Sequence, residues 1–239
     1  MEKNTEQIRW LEQVLKEEYQ MVSVLKKNDT KEVLRLRNKH LGKDLVKKKF
    51  LGNGEVYRRL QQYEIPGVPM VYEAVSDGRQ TVVLEEWING ISVGEILEQG
   101  LYREDGVRRV AKELCTSLSA LHGLQIVHRD IKPEHVLITE TGEVKLLDFD
   151  AARIHKLYGA RDTVVLGTVG YAAPEQFGLS QTDCRADLYA MGVLMNVMLT
   201  GEHPSVRLCH GALRPVVERC IQTNPDSRFS SAEELRKAL

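Results

Sequence analysis

Residues 187–199 place Leu188, Ala190, Met191, Val193, Leu194, Val197 and Met198 on nearly every side of a helix. A helix with no polar face must be enclosed by protein or by lipid. This run is well short of the ~20 apolar residues a membrane span needs, and no other apolar run approaches that length. It therefore predicts a helix at the centre of a helical lobe, with Asp187 at its start in a good N-cap position. Around it, Val107, Val110, Ala111, Leu114, Leu118 and Leu121 share one face of a helix over 103–122. Leu213, Val216, Val217, Cys220 and Ile221 mark another, and Ser230-x-x-Glu233 reads as a capping box that opens the last.

Upstream the pattern is different. Ile8, Leu11, Val14 and Leu15 predict a helix over 5–18 packed on the body. Strand-like stretches follow at 19–25, 32–36 and 44–46, then a helix from Glu55 to Tyr63. Two further strands, over 69–74 and 81–87, are joined by Ser76-Asp77-Gly78. A sheet-rich first third thus precedes a helical remainder, with the boundary near Asn89-Gly90. The reading is α+β: an N-terminal helical extension over 1–18, a small lobe over 19–89 and a large lobe over 90–239. The lysines at 43, 47, 48 and 49 read for the most part as a solvated strand edge.

The 239 residues suffice for one large domain or two lobes. A net charge of −1 gives no global field to favour nucleic acid or an acidic membrane. Cys115, Cys184, Cys209 and Cys220 are scattered, with no Cys-x-x-Cys, which argues against a zinc site or a disulfide framework. With no signal peptide pattern, the expectation is a cytoplasmic protein.

The chemistry concentrates between Ile126 and Asp150. Val136–Thr139 and Val144–Leu147 read as two short strands around Glu140-Thr141-Gly142-Glu143. A two-residue turn at Thr141-Gly142 would pair 140 with 143 and 136 with 147, setting His135 opposite Asp148. Asp130 lies on the loop leading in, so three groups able to bind metal or protons would converge. Phosphoryl transfer needs a metal to neutralise phosphate charge and a carboxylate to orient the attacking hydroxyl. Asp148 suits the first task and Asp130 the second, while Lys132 could reach the transferred phosphate.

His128-Arg129-Asp130-Ile131-Lys132-Pro133-Glu134-His135 followed by Asp148-Phe149-Asp150 resembles the catalytic loop and metal-binding segment of the eukaryotic-like Ser/Thr protein kinases, most closely the compact bacterial members. Gly167-Thr168-Val169-Gly170-Tyr171-Ala172-Ala173-Pro174-Glu175 resembles the end of their activation segment. The resemblance runs from about residue 19 to the end, and it implies a bilobal fold with a small antiparallel sheet lobe carrying one short helix. It makes Asp130 the catalytic base, Lys132 the phosphate contact and Asp148 the main Mg2+ ligand. It also pairs Glu175 with Arg228 and lets Asp187 brace the loop. Arg129 would answer a phosphate on the activation segment, with Thr163 a candidate site of autophosphorylation. Lys48, sharing an inward face with Val46, would hold the nucleotide phosphates, with Glu55 as its helical partner and Lys47 as the competing register. Backbone groups of Glu86 and Ile88 would meet adenine.

Five departures qualify the resemblance. His135 stands where the family carries a metal-binding Asn. Asp150 replaces the Gly after Asp-Phe, adding a carboxylate beside the metal position. The phosphate-covering loop, Leu25-Lys26-Lys27-Asn28-Asp29-Thr30-Lys31-Glu32-Val33, has no glycine and reads as a plain turn at Asn28-Asp29. Glu85 puts a carboxylate at the gatekeeper position, which predicts an ion pair with a small-lobe lysine. The large lobe also reads as short, without the helix that often docks protein substrates between the buried helix and Leu213. The expectation is a kinase that moves the γ-phosphate of ATP to protein hydroxyls with Mg2+ or Mn2+, and a slow one where Asp150 or a water replaces the missing amide oxygen. A pseudokinase scaffold and a small-molecule phosphotransferase, similar to the aminoglycoside phosphotransferases, are the alternatives. The Gly167–Glu175 match weighs against the last.

Overall fold

The computed structural model describes residues 2–155, 168, 170–177 and 182–239. It divides into two compact units. One takes in the residues up to Glu64 together with Pro69–Ile88; the other takes in Ile65–Val68 and Asn89–Leu239.

The first unit is a five-stranded antiparallel sheet of β1 (Tyr19–Lys27), β2 (Lys31–Asn38), β3 (Asp44–Leu51), β4 (Val71–Ser76) and β5 (Gln80–Glu86), in the order β1-β2-β3-β5-β4. Helix α1 (Glu2–Glu18) precedes it, and the short α2 (Glu55–Leu60) ends three residues before the Tyr63 expected from sequence. Ile8, Leu11 and Leu15 of α1 pack on Leu36, Leu45, Val82 and Leu84 of the sheet. Strand alternation assigns the two faces. Leu45 and Lys47 point to the α1 side, where Lys47 and Lys49 both pair with Glu12 of α1. Val46 and Lys48 point to the other. β3 is therefore an interior strand, and the reading of its lysines as a solvated edge fails. Only Lys43, just before the strand, is fully exposed. The β1–β2 turn is closed by Asn28, whose Oδ1 accepts from the backbone N–H groups of Thr30 and Lys31. An Asx turn of this kind lets a hairpin close with no glycine.

The second unit is built on α4 (Glu104–Gly123) and α5 (Arg185–Thr200), with α3 (Val93–Gln99), α6 (Arg214–Cys220) and α7 (Ala232–Ala238) around them. α5 is buried along nearly its whole length, as its apolar circumference requires. At Gly192 a Cβ would lie 2.4 Å from Cys220 Cβ, so the glycine sets how closely α6 approaches α5. Two small sheets complete the unit. β6 (Gly90–Ser92), β8 (Val136–Thr139) and β9 (Val144–Leu146) form one, and β7 (Ile126–Val127) with β10 (Arg153–Ile154) forms the other. Helix α3 was not legible in the apolar pattern. It opens on a capping box made by Ser92 and Glu95. α7 is capped one residue later than expected: Ser231 is the N-cap and accepts from Glu234 N–H, while the Glu234 carboxylate accepts from Ser230 N–H, so the reciprocal capping box does not form. Residues 201–213 contain no helix. Among the described residues no helix is long and apolar enough to cross a membrane.

Candidate active site

The β8–β9 hairpin carries the site, and its register differs from the sequence expectation. Val136 pairs with Leu146 and Ile138 with Val144, while Thr139 N–H donates to Glu143 O at 3.0 Å. The loop is one residue longer than a two-residue turn, with Gly142 in the left-handed region at φ 84°. A three-residue hairpin loop ends on such a residue. His135 therefore lies opposite Leu147, whose N–H donates to His135 O at 2.8 Å. A one-residue slip should turn the next side chain to the wrong face. Asp148, itself left-handed at φ 61°, reverses that and brings its Oδ2 to 3.6 Å from His135 Nε2. The expected convergence of His135 and Asp148 is present, reached by a backbone turn instead of by register.

Asp130 lies in the same cluster. Its Oδ1 accepts from the backbone N–H of Thr168 at 2.9 Å and from the Thr168 hydroxyl at 2.7 Å. Lys132 Nζ donates to that hydroxyl at 2.8 Å and lies 3.5 Å from Asp130 Oδ2. Burial on its own would push the Asp130 carboxyl up. The Thr168 hydrogen bond and the nearby His135 and Lys132 outweigh it and hold the group below the ordinary carboxylate range. The carboxylate is therefore ionised at neutral pH. Pro133–His135 forms one 3-10 turn that returns His135 toward the loop, and His135 Nδ1 lies 2.8 Å from Asp130 O.

The loop's shape is set from below. Asp187 is fully buried and accepts from the N–H groups of His128 at 2.9 Å and Arg129 at 2.7 Å. His122 of α4 donates to it at 2.8 Å. These bonds hold Arg129 at φ 69°, a conformation a non-glycine residue adopts only when its surroundings impose it. Burial alone would raise the Asp187 carboxyl; its bond to His122 and the backbone donors depress it instead. Asp187 is not the helix cap expected from its position. α5 begins at Arg185 after Cys184, and the carboxylate is turned to the loop. His128 is wholly buried, and burial lowers its pKa. The neutral ring donates from Nε2 to Leu147 O at 3.1 Å and sets its edge on Phe149, with ring centroids 4.8 Å apart. Gln176 holds Arg129 O at 3.0 Å. Glu175 meets Arg228 through two parallel bonds of 2.6 and 2.8 Å, with the Arg228 side chain fully buried.

In the first unit, Lys48 and Glu85 are cross-strand diagonal neighbours on one face of the sheet, because Val46 is the residue directly opposite Glu85. Their charged ends lie 2.7 Å apart, with the residues only 5% and 8% exposed. Tyr57 of α2 completes the setting, its hydroxyl 3.2 Å from Lys48 Nζ and its ring beneath the ammonium. The ion pair expected for Glu85 is present, and its lysine is Lys48. Glu55 stands half-buried in the first turn of α2. Glu86 N–H donates to Met70 O at 2.8 Å, and Glu86 and Ile88 close the unit's last segment. Asp150 is exposed on the bend after Phe149. Thr163 and Gly167 lie outside the described residues.

Thr168, His122, Gln176 and Tyr57 were not singled out from the sequence. The hydroxyl next to Gly167 is the one signal that could have pointed to Thr168. His122, Gln176 and Tyr57 lie on segments whose pattern reports only burial. Among the described residues no three His, Cys, Asp or Glu side chains converge in a way that could hold a metal by themselves. A divalent ion at Asp148 would need part of its coordination shell from water or from a bound phosphate.

Among curated proteins, the chain is 39% identical to the serine/threonine-protein kinase PknL of Mycobacterium tuberculosis over 136 residues, 56% of this chain and 34% of that protein. It is 28% identical over 219 residues to serine/threonine-protein kinase PknA of Nostoc, covering 82% of this chain and 38% of the relative. It is likewise 28% identical over 205 residues to PknB of Mycobacterium tuberculosis, covering 73% and 33%. The chain therefore spans about a third of the length of these relatives. The family model for the protein kinase domain matches residues 18–209, most of the chain and every group of the loop cluster except Arg228, and the chain belongs to that family.

Proposed function

We propose that this chain is a Ser/Thr protein kinase domain that transfers the γ-phosphoryl group of ATP to a hydroxyl on a protein substrate. The observation that carries the reading is the Asp130–Thr168–Lys132 cluster beside Asp148. Thr168 occupies Oδ1 of Asp130, which leaves Oδ2 to orient the attacking hydroxyl and accept its proton. Lys132 stands 3.5 Å from that oxygen, where a cation offsets charge on the incoming phosphoryl oxygens. Asp148 and His135 would hold a divalent ion, Mg2+ or Mn2+, with Asp150 adding negative charge nearby. When bound, such an ion neutralises phosphate charge. Lys48 would hold the nucleotide phosphates with Glu55 as its partner, and backbone groups of Glu86 and Ile88 would meet adenine. Thr163 is the proposed site of autophosphorylation. The extension, small lobe and large lobe are proposed to fall at 1–18, 19–89 and 90–239, in a cytoplasmic protein.

A second reading is a nucleotide-binding pseudokinase. The contact that favours it is Lys48–Glu85, since a lysine held by a carboxylate is drawn away from phosphate. Labelled ATP separates the two. Incubation with a general protein substrate should label that substrate or the chain itself, and Asp130→Asn should reduce labelling by about two orders of magnitude or more. ATP binding with no Asp130-dependent labelling would select the pseudokinase, and labelling of a metabolite alone would select a small-molecule phosphotransferase.

A further inference from the structure

We propose that His135 makes the metal position a mixed imidazole–carboxylate site that selects a first-row transition ion, Mn2+ over Mg2+. The ring's own hydrogen bond fixes its tautomer. His135 Nδ1 lies 2.8 Å from Asp130 O, a carbonyl oxygen that can only accept, so Nδ1 carries the hydrogen. In the neutral ring the lone pair is then on Nε2, the atom turned to Asp148. Nε2 and Asp148 Oδ2 are 3.6 Å apart, too long for a hydrogen bond. That distance falls within the ~4.2 Å spanned by two donors each about 2.1 Å from one ion.

An Nδ1–H bond to a backbone carbonyl is the outer contact that holds a metal-binding imidazole in orientation and raises its basicity. The 3-10 turn at Pro133–His135 and the pairing of His135 O with Leu147 N–H fix the backbone that carries the ring. The two side chains are only 14% and 24% exposed, which limits competition from water. Magnesium prefers oxygen donors and parts reluctantly with its water, whereas imidazole nitrogen favours the softer divalent ions. A donor pair of one nitrogen and one carboxylate oxygen therefore shifts the balance toward Mn2+.

The inference rests on the kinase reading for the nucleotide phosphates that complete the ion's shell, and pulsed electron paramagnetic resonance separates the two. The full chain is loaded with Mn2+ and a non-hydrolysable ATP analogue, and Mg2+ is titrated as competitor. The expected spectrum shows nitrogen coupling from a bound imidazole, which histidine labelled with nitrogen-15 shifts and His135→Asn abolishes. The preference for Mn2+ over Mg2+ should fall about tenfold in His135→Asn. A wild-type spectrum without imidazole nitrogen coupling overturns the inference even if no variant folds, and so does coupling that survives His135→Asn. Mn2+ bound with nitrogen coupling to a chain that has no affinity for the analogue would keep the metal site and remove the kinase reading. Analogue binding with no nitrogen coupling and equal use of Mg2+ would do the reverse.

Discussion

Glu85 shows how one residue can be read correctly for its burden and still change the meaning of another. A carboxylate on the inner face of a sheet must be paired, and that much follows from the sequence alone. Which lysine pairs with it depends on register, and the β3–β5 ladder gives Lys48, the residue expected to hold nucleotide phosphates. Taking both charges out of water costs several kcal/mol per ion, and the pair with its Tyr57 contact offsets that cost. Replacing Glu85 takes the carboxylate partner away from a buried ammonium. Glu85→Gln should therefore lower stability by about 3 kcal/mol in urea denaturation. Replacing both Lys48 and Glu85 with Met should recover most of that loss. Equal losses in the single and double variants would mean that packing, not charge, governs the site.

At the scale of elements, long periodic segments were legible and their ends were not. The all-apolar helix at 187–199 had only one place to go, and α5 occupies it. One of its buried polar residues carries no signal in the apolar pattern. Asn196 donates to the carbonyls of Glu202 and Arg207, both at 2.8 Å, and accepts from Cys209 N–H at the same distance. It thereby anchors the segment at 201–213, where sequence reading found a helix missing but could not say what held the chain in its place. The hairpin register was missed because loop length is set by backbone conformation at Gly142, to which apolar alternation is blind. The β2–β3 pair carries a cluster with a pH signature. Asp44 is bonded first by Arg37 and, against the opposing effect of burial, also by Arg35, and its carboxyl is pulled down from 3.8 to about 2. A depressed folded-state value means that the stabilisation is complete above about pH 4 and is lost as the pH falls toward 2. Asp44→Asn should flatten this part of the acid limb in a denaturation series from pH 5 to 2, while lowering stability at neutral pH. An unchanged limb would place the acid sensitivity elsewhere, for instance at Asp187.

For the whole molecule, what can be tested is how ligand binding adds to folding stability. On the proposed reading the metal that accompanies the nucleotide depends on Asp148. A ligand that binds only the folded chain stabilises it by about 2.7 kcal/mol at a hundred times its dissociation constant. For a chain of this length that corresponds to a rise in Tm of roughly 5–10 °C. ATP with Mn2+ should produce such a shift, ATP with Mg2+ a smaller one, and ATP with chelator little. Asp148→Ala should remove the metal-dependent part and lower the ligand-free Tm by only a few degrees, because the side chain is part-exposed at the mouth of the hairpin but alanine fits the left-handed backbone at φ 61° less well than aspartate. If Asp148→Ala keeps the full shift, the nucleotide is held without the metal. The cluster at Asp130 would then be a folded remnant of phosphoryl-transfer chemistry, and Lys48, released from or shared with Glu85, would carry the phosphates alone.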